Sequence, residues 1–240
     1  MAKYVMVIDL HKCAGCGACV ISCKNENNVQ EGFYWGHYTH KTVGKFPNVS
    51  YEFIPTLCNH CDNAPCVEVC PVGAMHKDED GTGLTLHDPD KCIGCKRCQK
   101  ADPYGVINYN KTKAHPFWRD NEKIIPKVTS SGKEVAKAVG EIPPYYNPAR
   151  ANTTDRGKTY DGIRRKGVVE KCLLCDHRVK KGLEPYCATA CPADARIIGD
   201  LDDKNSEVSR LLKKYNSFRL KENLGTKPRV YYIRDFNAKK

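Results

Sequence analysis

The sequence predicts an α+β fold made of two related modules and one long irregular insertion. Three observations support this prediction: four cysteine-rich runs of similar spacing, short strand patterns that flank them, and a long stretch without any cysteine. Repetition of one unit along a chain indicates repeated architecture. The predicted division assigns the first part of module A to 1–50, module B to 51–110, the insertion to 111–166, and the rest of module A, with a C-terminal helix and strand, to 167–240.

Strands and helices are predicted on either side of the cysteine runs. Short apolar and β-branched segments predict strands at Tyr4–Ile8, Tyr51–Ile54, Leu84–Leu86, Val106–Tyr109 and Arg229–Ile233. One helix is predicted over Val20–Asn28. A second is predicted over Ser206–Tyr215, where apolar residues recur at helical spacing, with Asp202 and Asp203 as candidate N-caps. Because the alternation of strand, cysteine run and helix occurs twice, each module is predicted to be ferredoxin-like.

The segment between Asn110 and Lys166 contains no cysteine and is rich in Lys, Gly, Thr and Pro. This composition predicts irregular structure with little core of its own. Two interpretations remain open: a surface loop, or a strap that docks on a partner subunit.

All fifteen cysteines fall in the four runs. The first run, from Cys13, has the spacing C-x2-C-x2-C-x3-C, and the second, from Cys58, reads C-x2-C-x4-C-x3-C-P. The third, from Cys92, repeats the spacing of the first, but Asp102 occupies its fourth place. The fourth, from Cys172, reads C-x2-C-x11-C-x3-C-P. Fifteen cysteines and one aspartate together supply sixteen ligands, the number that four cubic iron–sulfur clusters require.

Bacterial ferredoxins bind one cluster with three closely spaced thiolates, while the fourth cysteine of the run ligates the other cluster of a pair. Since the second and third runs are near in sequence, they are predicted to form one pair, and the first and fourth runs the other. The predicted ligand sets are Cys13, Cys16, Cys19 and Cys191 (cluster 1); Cys58, Cys61, Cys66 and Asp102 (cluster 2); Cys92, Cys95, Cys98 and Cys70 (cluster 3); and Cys172, Cys175, Cys187 and Cys23 (cluster 4).

Zinc sites and a disulfide framework are the competing interpretations of so many cysteines. Zinc sites also use C-x2-C pairs, but a run of three thiolates suits a four-ligand zinc site poorly. Disulfide frameworks are typical of short chains with an even number of cysteines, whereas this chain has 240 residues and fifteen cysteines. Both interpretations are therefore weaker than iron–sulfur ligation.

The excess of basic residues is explained by the negative charge of the predicted cluster ligands. The formal net charge is +11, but fifteen thiolates and four clusters with a 2+ core would reduce it to about +4. A nucleic-acid partner is therefore not predicted. No stretch reaches the roughly eighteen apolar residues of a membrane helix, and the first ten residues lack the pattern of a signal peptide.

The whole pattern resembles the four-cluster electron-transfer subunits of the dimethyl sulfoxide reductase family of molybdopterin oxidoreductases. The segments that carry the resemblance include MVIDLHKCAGCGACVISCKNENN, IPTLCNHCDNAPCVEVCPVGAMHK, KCLLCDHR and CPADARIIGDLDD. Within this family the likeness is greatest to the small subunit of respiratory arsenate reductase. Small subunits of polysulfide, thiosulfate and tetrathionate reductases are similar, and a free polyferredoxin is a further alternative.

The resemblance implies a chain without a catalytic site of its own. It implies a large molybdopterin-containing catalytic subunit as partner, and a membrane quinol-interacting subunit or a cytochrome at the other end of the electron path. It also implies an extracytoplasmic location, reached by export with a signal-bearing partner; the alternative is the cytoplasm. Cluster 1 is expected nearest the catalytic subunit.

Asp102 departs from the family pattern, which has cysteine at that place. A carboxylate is a harder ligand than a thiolate and holds iron less firmly in a sulfide cluster. Three outcomes are open: ligation of a [4Fe-4S] cluster through oxygen, loss of the corner iron to leave [3Fe-4S], or a carboxylate that only lies near a cluster completed by water.

Four other residues receive a structural interpretation. His60 and His177 lie within or beside cysteine runs, and histidine can ligate iron–sulfur clusters; since all sixteen places are filled, hydrogen bonding or packing is predicted. Trp35 and Trp118 are predicted to pack in the core or at an interface.

Overall fold

The computed structural model describes residues 2–27, 29–30, 32–78, 81–111 and 165–236. The predicted insertion at 111–166, together with Trp118, therefore lies almost wholly outside the described residues. The strands are β1 (Tyr4–Asp9), β2 (Gly36–Lys45), β3 (Asn48–Leu57), β4 (Met75–Lys77), β5 (Thr85–His87), β6 (Asn108–Tyr109), β7 (Val169–Glu170), β8 (Arg196–Asp200), β9 (Ser217–Phe218) and β10 (Val230–Ile233). The α-helices are α1 (Ala18–Glu26), α2 (Pro65–Glu68), α3 (Arg97–Ala101), α4 (Asp176–Val179), α5 (Tyr186–Thr189) and α6 (Glu207–Lys214), and a 3₁₀ turn spans Glu222–Leu224.

A four-stranded sheet joins the beginning of the chain to its end. Its strand order is β8-β1-β10-β9. Strand β1 runs antiparallel to β8, with Ile8 opposite Arg196, and parallel to β10, with Met6 opposite Val230. All residues of β1 after Tyr4 are buried, and burial on both faces of the sheet explains the unbroken apolar run of this strand. The sheet thus joins residues of 1–50 to residues of 167–240.

The two faces of β1 pack into different clusters of apolar side chains. Val5 and Val7 point to one side and contact Val208 of α6, while Met6 and Ile8 point to the other side, toward the cysteine-containing core. This alternation follows from the two-residue period of a strand. Strand β1 thus separates the covering helix α6 from the candidate sites.

The predicted helix over Ser206–Tyr215 is present as α6, but its predicted capping residues are wrong. The hydroxyl of Ser206, not the carboxylate of Asp202 or Asp203, accepts the hydrogen bond of the Ser209 backbone N–H, at 3.2 Å. Asp203 instead accepts from the backbone N–H of Asn205, in the turn before the helix. Serine is a favoured N-cap, and Ser206 holds the position next to the first helical residue.

A long hairpin was predicted only in part. Strands β2 and β3 pair along their full length, from Gly36 opposite Leu57 to Lys45 opposite Asn48. The prediction contained only the segment Tyr51–Ile54 of β3 and missed β2. The polar residues of β2 hide its strand character, because most of this strand is exposed on both faces.

The remaining pairings are short. Strands β4 and β5 form one two-stranded sheet, and β6 and β7 form another, which joins 51–110 to 167–240. Strands β4, β7, β8 and β9 were not predicted, since each is short or interrupted by polar residues. One apolar core contains residues from both predicted modules, including Met6, Leu86 and Tyr232.

Four cysteine groups as candidate metal centres

The first group of predicted ligands surrounds a single cavity. Cys13, Cys16, Cys19 and Cys191 line one cavity that is partly open to solvent. Its other walls are largely apolar, and Cys16 is exposed. Four sulfur donors that line one largely apolar cavity match the ligand set of a cubic iron–sulfur cluster.

Glycine fixes the course of the first run. Gly15 has a φ of +65°, and a Cβ atom at this position would lie 2.2 Å from the ring of Phe53 on β3. Any side chain would therefore both strain the backbone and collide with the hairpin. At the far side of the cavity, the Cys191 sulfur accepts the backbone N–H of Ala195 at 3.3 Å. These contacts fix the first cysteine run and the segment before β8 on opposite sides of the cavity.

The second group contains the aspartate. Cys58, Cys61, Cys66 and Asp102 line a common cavity. The Asp102 carboxylate accepts three backbone hydrogen bonds, from Tyr104 at 3.1 Å, Val106 at 2.7 Å and Ile107 at 3.1 Å. These bonds hold the carboxylate in one orientation, as an oxygen donor at the edge of the cavity.

His60 also lines this second cavity. Its Nδ1 accepts the backbone N–H of Thr85 at 3.2 Å, so in the neutral ring Nε2 carries the proton. Nε2 is buried and has no hydrogen-bond partner within the described part of the chain. Burial, followed by the charges of Lys171, Lys77 and Arg229, holds the pKa of His60 well below its usual value. The ring is therefore neutral, with its free N–H beside the cavity.

In the third group, the charges of Cys92, Cys70 and Cys95 all act on Cys98. Burial, opposed by a backbone hydrogen bond and reinforced by these cysteine charges, raises the pKa of the Cys98 thiol to about 11. Cys70 comes from the second run, as the crossed pattern predicts. Its sulfur accepts the backbone N–H of Met75 at 3.4 Å. The structure therefore brings the four predicted residues together.

The fourth group is the most deeply buried. The charges of Cys172, Cys175 and Cys187 all act on Cys23, which belongs to the first run. Asn27 donates through Nδ2 to the sulfur of Cys23 at 3.5 Å and of Cys175 at 3.9 Å. Hydrogen bonds to sulfur are one means by which a protein adjusts a metal centre. Sequence reasoning missed Asn27, because an amide after a cysteine run has no distinctive pattern.

Burial has a common effect on these thiols. It raises the pKa of Cys66 and of Cys172 to about 12, reinforced in both by the charge of Cys58. Such thiols ionise at neutral pH only when a bound cation compensates the charge. Among the described residues, no set of three or more His, Cys, Asp or Glu side chains is arranged around one metal ion.

The four groups lie in a definite order. The charge of Cys19 acts on Cys187, so the first group adjoins the fourth. The charge of Cys58 acts on Cys172, so the fourth adjoins the second. Cys66 of the second group and Cys70 of the third pack in one apolar cluster around Ile107. The resulting order is first, fourth, second, third.

His177 and Trp35 have structural roles. His177 Nε2 lies 2.7 Å from a carboxylate oxygen of Glu26, and both side chains are buried. Trp35 is in the core and donates through Nε1 to Glu170 at 3.4 Å. Both fit the predicted hydrogen-bonding and packing roles. Over the described ranges, no helix is long and apolar enough to cross a membrane.

Comparison with known proteins identifies the family. Residues 12–74, and residues 49–121 with 157–201, match two families described as 4Fe-4S dicluster domains. The chain is 52% identical over 235 residues to the arsenate respiratory reductase iron–sulfur subunit of Shewanella sp. strain ANA-3, covering 98% of this chain and 97% of that protein.

More distant relatives cover nearly as much of the chain. Identity is 36% to a selenate reductase subunit of Mesobacillus selenatarsenatis, over 96% of this chain and 72% of that protein. It is 32% to a sulfite dehydrogenase subunit of Allochromatium vinosum, over 97% of this chain and 83% of that protein. The chain therefore belongs to the iron–sulfur electron-transfer subunits of the dimethyl sulfoxide reductase family of molybdoenzymes.

Proposed function

We propose that the four groups bind four iron–sulfur clusters, three of them [4Fe-4S] clusters held by four cysteines each. The observation that carries this proposal is the meeting of sixteen predicted ligands in four groups of four. The crossed positions of Cys70, Cys191 and Cys23 support it, since each joins a group from another run. We also infer two ferredoxin-like modules, with the sheet of β1, β8 and β10 in module A.

Clusters in these groups would supply one-electron carriers. The chain's own contribution is to hold the ligands, to keep water from the buried groups and to set the order of the sites. The first group has an exposed cysteine, whereas the fourth lies in the interior with Cys172, Cys175 and Cys187 all buried. The fourth group is therefore suited to an internal position in an electron path, and the first to an end of it.

Asp102 is proposed as the sixteenth ligand. Oδ2 accepts the backbone N–H groups of Val106 and Ile107, whereas Oδ1 accepts only that of Tyr104 and keeps a further lone pair for a metal. Three hydrogen bonds fix the carboxylate at the cavity that Cys58, Cys61 and Cys66 line. The fixed position favours direct ligation over a carboxylate that is only nearby. The weaker hold of oxygen on this iron makes a [3Fe-4S] cluster the alternative.

The proposed partner is a molybdopterin catalytic subunit that reduces arsenate. The relative at 52% identity is named as a subunit of arsenate respiratory reductase, and the selenate relative has 36% identity. This difference favours arsenate over selenate. On the other side of the path we propose a membrane quinol-interacting subunit or a cytochrome, and an extracytoplasmic location reached together with the partner.

Metal analysis of the intact complex tests this function. The complex should be isolated from its native host under nitrogen through a tag on this chain. We expect about one molybdenum per chain and about sixteen iron atoms from this chain in addition to those of the partner. Arsenate, selenate and polysulfide should then be compared as electron acceptors, with arsenate reduced fastest. Iron without molybdenum or a large partner would instead identify a free polyferredoxin.

A further inference from the structure

Arg196 lies between the first and fourth cysteine groups. It begins strand β8, is 7% exposed and lines the cavity of the first group. Its Nη1 is 3.8 Å from the sulfur of Cys187, a member of the fourth group. The guanidinium also acts electrostatically on Cys13. One buried cation thus lies beside ligands of both the first and the fourth group.

Lys171 holds the corresponding position between the fourth and second groups. It is 1% exposed, and its Nζ donates to the carbonyl oxygen of Cys172 at 2.8 Å and to that of Thr85. Its charge acts on Cys172 of the fourth group and on Cys66 of the second. The fourth group therefore has a buried cation on each of its two sides.

Within the described ranges, neither cation forms an ion pair with a carboxylate. The partners of Arg196 are the sulfur atoms of Cys187 and Met6, and those of Lys171 are carbonyl oxygens. A buried charge without a counter-charge is strongly unfavourable. The cysteine groups supply the negative charge that acts on these cations once the thiols are ionised.

We propose that Arg196 and Lys171 are the redox-tuning charges of this chain, each raising the reduction potentials of the two clusters between which it lies. This inference rests on the proposed function. Adding an electron makes a cluster more negative, and a nearby fixed cation favours that state. Arg196 acts on the first and fourth clusters, and Lys171 on the fourth and second. The fourth cluster is affected by both, and the third by neither.

Neutral and charge-conserving variants of Arg196 test the first half of the proposal. Potentials are measured by redox titration of the intact complex, followed by electron paramagnetic resonance, with iron content determined on the same samples. In Arg196→Gln we expect two of the four potentials to become more negative. In Arg196→Lys, which keeps the charge, they should stay near the wild-type values. Arg210→Gln, at an exposed site on α6, is the matched control and should move none.

Lys171→Met and Lys171→Arg test the second half in the same way. The methionine variant should lower two potentials, one of which is also lowered in Arg196→Gln; this shared signal belongs to the fourth cluster. The other should be the signal that Asp102→Cys alters. This pattern of shifts identifies the two clusters that lie beside each cation. A general loss of stability would not produce such a pattern.

Unchanged potentials in both neutral variants, with full iron content, would overturn the inference. So would loss of iron in the charge-conserving variants as well as in the neutral ones, because shape rather than charge would then be required at these positions. A wild-type complex without iron–sulfur signals would overturn the proposed function itself. The two failures are therefore distinguishable.

Discussion

The backbone N–H of Val106 donates a 2.7 Å hydrogen bond to the carboxylate of Asp102, at the edge of the cavity that Cys58, Cys61 and Cys66 line. With the N–H groups of Tyr104 and Ile107, this bond holds the one predicted ligand that is not a cysteine. The same carboxylate therefore has a structural role in the turn after α3 and a proposed role at the metal centre. Substitutions at this position separate the two roles.

Asp102→Cys should keep four clusters and change one reduction potential. A thiolate restores the ligand type of the family, and its softer sulfur holds iron more firmly. Redox titration of the complex measures the effect. Four potentials identical to those of the wild type would show that Asp102 does not touch a cluster.

Asp102→Ala should impair both the metal centre and the stability of the turn after α3. It removes the proposed ligand, so iron content should fall and a [3Fe-4S] signal should appear. It also leaves buried backbone N–H groups without an acceptor, which costs about 1–3 kcal/mol for each group left unsatisfied. Hydrogen exchange of Tyr104, Val106 and Ile107 in the intact complex should accelerate. Asp88→Ala is a control, because the Asp88 carboxylate accepts the backbone N–H of Asp90 in an exposed turn.

His60→Phe should destabilise the loop between the second run and β5. The substitution removes the Nδ1 acceptor of the Thr85 N–H, at a cost of about 1–3 kcal/mol because that donor is buried. It also removes the Nε2–H beside the second cavity, so the potential that Asp102→Cys alters should become more negative. Thermal unfolding and redox titration measure the two effects. His76→Phe, on β4, is the control and should leave that potential unchanged.

Ser206→Ala should loosen the start of α6. Loss of an N-cap hydroxyl costs about 1 kcal/mol, which should increase hydrogen exchange at Ser209 several-fold. Asp202→Ala is the matched control, because the carboxylate of Asp202 is not the cap. Equal effects of the two substitutions would restore the capping role first predicted for Asp202.

Removal of iron should unfold the chain. The main core includes Cys58, Cys61, Cys172 and Cys187, and metal binding contributes directly to folding in sites of this kind. Treatment with an iron chelator should abolish the circular dichroism of the native chain. Retention of a cooperative thermal transition after complete iron removal would show that the apolar core is sufficient.

Sequence spacing predicted the four ligand groups because the ferredoxin pattern places its fourth cysteine at the neighbouring cluster. Strand β1 was predictable from its unbroken apolar residues, and α6 from its helical spacing. By contrast, β2 was hidden by an exposed polar sequence, and α6 was assigned the wrong cap because three candidate capping residues lie within five positions.

Arg196 and Lys171 gave no usable signal in the sequence. Each is one basic residue among 39, and only the packing of β8 and β7 against the cysteine groups reveals that both are buried. Asn27 was hidden for the same reason. Residues that surround a metal centre without ligating it depend on tertiary contacts, which spacing alone does not encode.

The count of acid-labile sulfide in the anaerobically purified complex tests the central claim most directly. Four clusters in this chain predict about sixteen sulfide ions if all are [4Fe-4S], beyond those of the partner. A [3Fe-4S] cluster at Asp102 would keep the same sulfide count and remove one iron. Zinc without sulfide, or sulfide sufficient for only two clusters, would contradict the account.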